Sequence, residues 1–290
     1  FFPTTGQSFT SNGNNIIRID ISAQAFLDPK HSYLRFRYAN TAGNTCGFDF
    51  GGGHSFIRRL RIEQAGNVLS DVNHYNRLMS AVVLPCQGGT DSVAHRSISE
   101  GQRFGNSRAI GTSMNPVVAA AEISGTISNT PVNSNEVVTA VGGAAPFYTF
   151  SIPLLNGLLG TTQDKMVPLQ MLGSSPLTIE IELADANDIG EYGGALAAPT
   201  YTIDDVRYIA QLVEVGPEVD AQLRMVQEVS GGKLVLNGVD YTHFSGNVAA
   251  QATGTTTINV PARRKSLKSL FFVGASQQYT PSGGANDHAG

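Results

Sequence analysis

Tryptophan is missing altogether from this 290-residue chain, cysteine occurs twice, and only 14% of residues are charged. Each shortage excludes something. Cys46 and Cys86 cannot build a disulfide framework, and they would need several converging histidines to hold a metal. The six histidines, at positions 31, 54, 74, 95, 243 and 288, never fall at H-x-H or HExxH spacing, so no metal site is expected. A net charge of −4 gives no overall basic surface, so sequence-specific nucleic-acid binding is not expected. No apolar run approaches the ~20 residues that span a bilayer. The opening FFPTTGQSFT lacks the basic region and hydrophobic core of a signal peptide. Asn-x-Ser/Thr sequons are absent too. These shortages together predict synthesis in a reducing, non-secretory compartment.

Catalytic wording is equally scarce. There is no G-x-S-x-G elbow, although a Ser-His-Asp triad assembled in space leaves no such trace. Gly51, Gly52 and Gly53 match neither phosphate-binding glycine pattern and precede a strand, so a tight hairpin is expected there. Glu180 and Glu182 share one strand face with Cβ atoms ~7 Å apart, near the separation of an acid/base pair. The wet face of an amphipathic strand explains them better, since a sugar groove would bring aromatics and tryptophan is absent. Asp204 and Asp205 point to opposite faces of any strand that carries them. The expected reading is a protein with no catalytic residues, no metal and no cofactor.

What the chain has is glycine (32), proline (13) and short alternating runs, a composition of many strands and turns. Ile17, Ile19 and Ile21 alternate with Arg18 and Asp20. Leu34, Phe36 and Tyr38 alternate with Arg35 and Arg37, and Leu60 and Ile62 with Arg61 and Glu63. Leu177, Ile179, Ile181 and Leu183 are interleaved with Thr178, Glu180 and Glu182. Each predicts an antiparallel strand with one face in a core. Residues 70–84 predict a helix capped by Ser70 and blocked by Pro85.

Residues 88–145 turn to Gly, Ser, Thr, Asn and Ala with little periodicity, which predicts a large excursion with short strands of its own. Residues 184–200, ADANDIGEYGGALAAPT, are polar and glycine-rich and predict a linker. Beyond it YTIDDVRYIAQLVEV predicts strand, and PEVDAQLRMVQEV a helix with Pro217 at its first position. LVL, TTTINV and SLKSLFFVG then predict further strands.

The segments FLDPKHSYLRFRY, HSFIRRLRIEQAGNVLSDVNHYNRL, FYTFSIPL and PLTIEIELAD follow one another in an order that resembles the double jelly-roll major capsid proteins of the adenovirus, virophage and polinton-like virus lineage. The resemblance implies an all-β chain with two jelly-roll sandwich domains in tandem and short helices in the loops. Residues 1–196 would form the first, with the insertion at 88–145. Residues 197–290 would form the first part of the second, since such proteins run well beyond this length. It further implies a homotrimeric, pseudo-hexagonal capsomer that meets neighbouring capsomers, penton and minor capsid proteins in an icosahedral virion shell around DNA.

Arg35, Arg37, Arg58, Arg59 and Arg61 cluster on adjacent predicted strands and are the candidate subunit contacts, because arginine is favoured at interfaces and pairs bidentately with carboxylates. Two other classes compete. A lectin-like or fibre-like sandwich that binds carbohydrate or a receptor would need a concave aromatic site. A hydrolase on a β scaffold would need a pocket holding two carboxylates or a Ser-His pair.

Overall fold

The computed structural model describes residues 1–41, 46–48, 51–86, 96, 99–101, 137–138, 147–160, 165–172, 175–192, 200–232, 238–246, 257–262 and 264–273. Eight strands carry the architecture: β1 (Ser8–Thr10), β2 (Ile16–Ile21), β3 (Phe26–Asn40), β4 (Ile57–Gln64), β5 (Asn67–Asn73), β6 (Phe147–Ile152), β7 (Leu177–Leu183) and β8 (Tyr201–Val213). They form two antiparallel sheets with orders β1-β8-β3-β6 and β2-β7-β4-β5. Successive strands cross from one sheet to the other, except at the β4–β5 hairpin. Four strands in each sheet, filled in this order, are the jelly roll, the double Greek key of an eight-stranded sandwich; the short Val167–Pro168 adds a fifth strand to the first sheet beside the start of β3.

The core lies between the sheets, and period-two alternation fills it. Leu177, Ile179, Ile181 and Leu183 are buried while Thr178, Glu180 and Glu182 face out. From the opposite sheet come Leu34, Phe36, Tyr38, Phe150 and Ile152. Phe56 sits at the centre, its ring 5.7 Å from Phe36, 5.0 Å from Tyr38, and 5.4 Å from both Phe150 and Tyr201. Burying one phenylalanine side chain contributes roughly 1.5–3 kcal/mol.

The β4–β5 hairpin turns on Ala65 and Gly66, both at positive φ (50° and 78°). That backbone is the type I′ turn, whose twist suits paired strands. The pairing runs on through Ile62 with Ser70 and Leu60 with Val72, so residues 67–73 are strand and not the start of a helix. The helix begins after His74, in α form over Tyr75–Leu78, then π over Met79–Val83, then α again over Leu84–Cys86. The π turn lies just before Pro85, which lacks the N–H an unbroken α-helix needs.

Gly51–Gly53 open not a hairpin but a 3-10 turn over Gly52–Phe56. A Cβ on Gly52 (φ 54°) would collide with the backbone of Glu100 and Gly101, and one on Gly101 (φ 68°) with the Phe150 ring. Glycine is required at both places because the returning chain lies directly on the barrel. Of the excursion 88–145, the described residues are 96, 99–101 and 137–138; the rest of that expectation lies outside them. Val137–Val138 pairs with Cys46–Phe48, which also pairs with Gly190–Tyr192.

Two boundaries move. Ala184, Ala186 and Ile189 are buried, so the start of the supposed linker packs against the core. β8 pairs with β1 and along the length of β3, so the jelly roll runs to Val213 and not to residue 196. After it comes the predicted helix, Pro217–Val229, with no buried residue. LVL lies outside the described residues. The described parts of TTTINV and SLKSLFFVG carry no strand pairing.

Candidate functional site

Strand alternation that sends apolar residues inward sends the arginines outward, and the structure gathers them on the two outer sheet faces. On the β2-β7-β4-β5 face, Glu180 stands opposite Arg18 on one side and Arg61 on the other. Arg18 reaches Glu180 at 3.2 Å and Glu63 at 3.3 Å. Arg61 contacts Glu63 closely and Glu180 at 3.6 Å. Arg59 grips Asp71 with Nε and a terminal nitrogen, at 2.8 and 2.6 Å. Arg58 meets Glu182 at 3.6 Å, where the β4–β7 register shifts. The Arg59 hydrogen bond holds the Asp71 carboxyl below the usual carboxylate range, against the opposing pull of burial.

On the β1-β8-β3-β6 face, Arg37 grips Asp204 at 2.5 and 2.7 Å. Immediately after Asp204 the register of β8 slips, because Asp205 takes a left-handed backbone (φ 47°) and forms a bulge. The bulge overturns the expectation that Asp204 and Asp205 face opposite ways. Both point outward, Asp205 to Arg207 at 2.5 Å and to Arg35 at 3.7 Å, while Val206 goes into the core. Two exposed aromatics flank this row. The Arg37 guanidinium lies 5.3 Å from the centre of the Phe147 ring, and Arg207 lies 5.4 Å from that of Phe2. Phe147 is 65% exposed and Phe2 66%.

No family model matches this chain, and no curated protein does. Among solved structures it is similar to PBCV-1 VP54, fitted into a cryo-EM reconstruction of the virophage Sputnik, at 12% identity and a TM-score of 0.37 over 74% of this chain and 43% of that one. It is also similar to a chain of a quasi-atomic model of the PBCV-1 virus capsid, at 12% identity and a TM-score of 0.36 over 76% and 43%. The chain therefore spans less than half the length of either. The jelly-roll assignment stands on the strand order and not on this likeness.

The structure brings all five predicted contact arginines to the outer faces, but each already meets a carboxylate of its own chain. The β2-β7-β4-β5 face sets Arg18, Arg58, Arg59 and Arg61 against Glu63, Asp71, Glu180 and Glu182, and also carries Asp20, which accepts from Thr178. The other face sets Arg35, Arg37 and Arg207 against Asp204 and Asp205, leaving one positive charge over. Glu180 and Glu182, the pair that invited a glycosidase reading, are both engaged by guanidiniums on an outer face. Among the described residues no three His, Cys, Asp or Glu side chains gather as metal ligands. No helix among them is long and apolar enough to cross a membrane.

Sequence reasoning missed a buried polar cluster. His54 is wholly buried, with Tyr75 Oη at 3.3 Å and Glu100 Oε2 at 3.4 Å. Tyr75 Oη accepts the Leu155 N–H at 3.1 Å, and burial pushes its hydroxyl pKa well up. A cavity of about 20 Å³, lined by His54, Arg96, Glu100 and Leu155 among others, has room for one water. The cluster ties the excursion to the barrel. Its members lie 21 and 46 residues from His54, and no local pattern announces them.

Proposed function

We propose that this chain is a structural subunit of a viral shell, a major capsid protein that trimerises into pseudo-hexagonal capsomers and closes an icosahedral particle around DNA. One observation carries this reading: the chain beyond β8 keeps apolar side chains in solvent that a lone subunit would bury. In the helix Pro217–Val229, Met225, Val226 and Val229 are exposed, the last 90%. Further on, Leu267, Leu270, Phe271, Phe272 and Val273 are exposed, Phe272 80%. Four consecutive exposed apolar side chains, Leu270 to Val273, mark association. Residues after Val213 are then the opening of a second jelly roll that docks beside the first.

Jelly-roll sandwiches leave open sheet edges, and packing subunits side by side covers them. Within the trimer, the β1-β8-β3-β6 face, with Arg35, Arg37, Phe2 and Phe147 and its surplus positive charge, is the stronger candidate contact. Arg58, Arg59 and Arg61 have their charge fully matched within the chain. Neighbouring capsomers, penton and minor capsid proteins are the remaining partners. The virion is the expected location, and no enzymatic step is assigned.

Light scattering on a sizing column tests this. A trimer or larger particle of the 30.7 kDa chain is expected, and Phe147→Ser should lower its yield while leaving the thermal midpoint unchanged. A stable monomer overturns the capsid reading. A trimer indifferent to Phe147→Ser and Phe2→Ser overturns only the choice of face.

A further inference from the structure

After the helix Pro217–Val229 the chain returns to the barrel at residues 238–246, and several contacts hold it there. Ser70 Oγ donates to Asp240 Oδ1 at 2.7 Å. Tyr241 packs against the core. Gly238 lies so close to Gly157 that a Cβ on it would meet the Gly157 carbonyl. The ring of His243 lies against that of His74, with centroids 4.5 Å apart and planes inclined at 50°. His74 takes a left-handed backbone (φ 52°) at the junction of β5 and the helix that follows, which turns its ring towards the returning segment.

We propose that the His74–His243 contact is an acid-sensitive clasp: two neutral imidazoles pack together at neutral pH, and protonation of both drives residues 238–246 off the jelly roll. Two arginines act on the rings. Arg77, on the helix, acts on both, and Arg58, on β4, acts on His74. Arg58 is shared with Glu182. Asp240, the carboxylate on the docked segment, is engaged by Ser70 and lies 3.9 Å from Arg264, which also donates to Thr242. Protonated rings would therefore add to a like-charged group.

Burial, reinforced by these cations, holds both imidazoles below the ordinary histidine value of 6.5. A depressed docked value means the undocked segment binds protons more readily. Docking is then fully stable above about pH 6.5 and weakens as pH falls towards the depressed values.

Nuclear Overhauser effects between Gly238 and Gly157 in the whole chain, recorded at about pH 7.5 and about pH 5, test the clasp, because the two residues touch only while the segment is docked. They should weaken several-fold at the lower pH while those between β3 and β8 persist. His243→Phe leaves one ring that can gain a proton and should keep more of the contact at the lower pH. His243→Phe combined with His74→Asn, which tolerates the left-handed backbone, should make the contact independent of pH. An unchanged contact in the native protein, or an equal loss in the double variant over the same interval, overturns the proposal. So do histidine ring-proton shifts that titrate at or above the ordinary value in the native protein.

Discussion

Arg59 and Asp71 face each other diagonally across the β4–β5 hairpin, and each carboxylate oxygen of Asp71 receives its own N–H from the guanidinium, at 2.8 and 2.6 Å. Twelve residues separate them in the chain. The fork fits only one hairpin register, because a one-residue slip would send Asp71 to the core face.

The pair makes stability depend on pH. The Asp71 carboxyl is depressed in the folded state, so its contribution is complete above the ordinary value of 3.8 and is lost as pH falls through the depressed one. Asp71→Asn should cost about 0.5–1 kcal/mol near neutrality, as expected of a partly exposed bidentate pair. Urea titrations of both proteins should converge in strong acid. A difference that stays constant with pH would refute this account.

Ala65 is the weak residue of the same hairpin. It holds a positive φ in a turn that favours asparagine followed by glycine. Ala65→Asn completes that pair and should stabilise the protein by about 0.5–1 kcal/mol. A lowered unfolding midpoint would show that the Ala65 methyl has a packing role.

Phe56, just before β4, meets four aromatic rings of the opposite sheet, so its loss cannot be repaired by one side chain moving. Phe56→Ala should cost about 3–5 kcal/mol, read as a shift of the urea midpoint at unchanged slope. A smaller loss would mean that Phe36 and Phe150 collapse into the space.

Where one strand's own pattern decides its state, the fold was legible. β7 alternates without a break, and β2, β3 and β4 came out where Ile17–Ile21, Leu34–Tyr38 and Leu60–Ile62 placed them. Residues 70–84 misled because Val72, Tyr75, Met79 and Val82 suit a helical face, while Ser70 and Val72 equally suit a strand. Pairing with β4 decides between them, and that is a long-range fact. The domain boundary failed for the same reason, since β8 finds its partners more than 160 residues back in the chain. The bulge at Asp205 depends on backbone conformation, which alternation does not encode. The candidate arginines were legible as outward-facing residues. Their carboxylate partners in neighbouring strands were not, and those partners decide which face retains charge.

One foot of the excursion is pressed onto Gly52 and Phe150 through Glu100 and Gly101, and towards the other end Val137–Val138 pairs with Cys46–Phe48. With the feet held, the length between them costs little, because closure entropy grows only slowly with loop size. Peptides inserted between residues 101 and 137 should therefore leave the sandwich folding as before, with an unchanged urea midpoint.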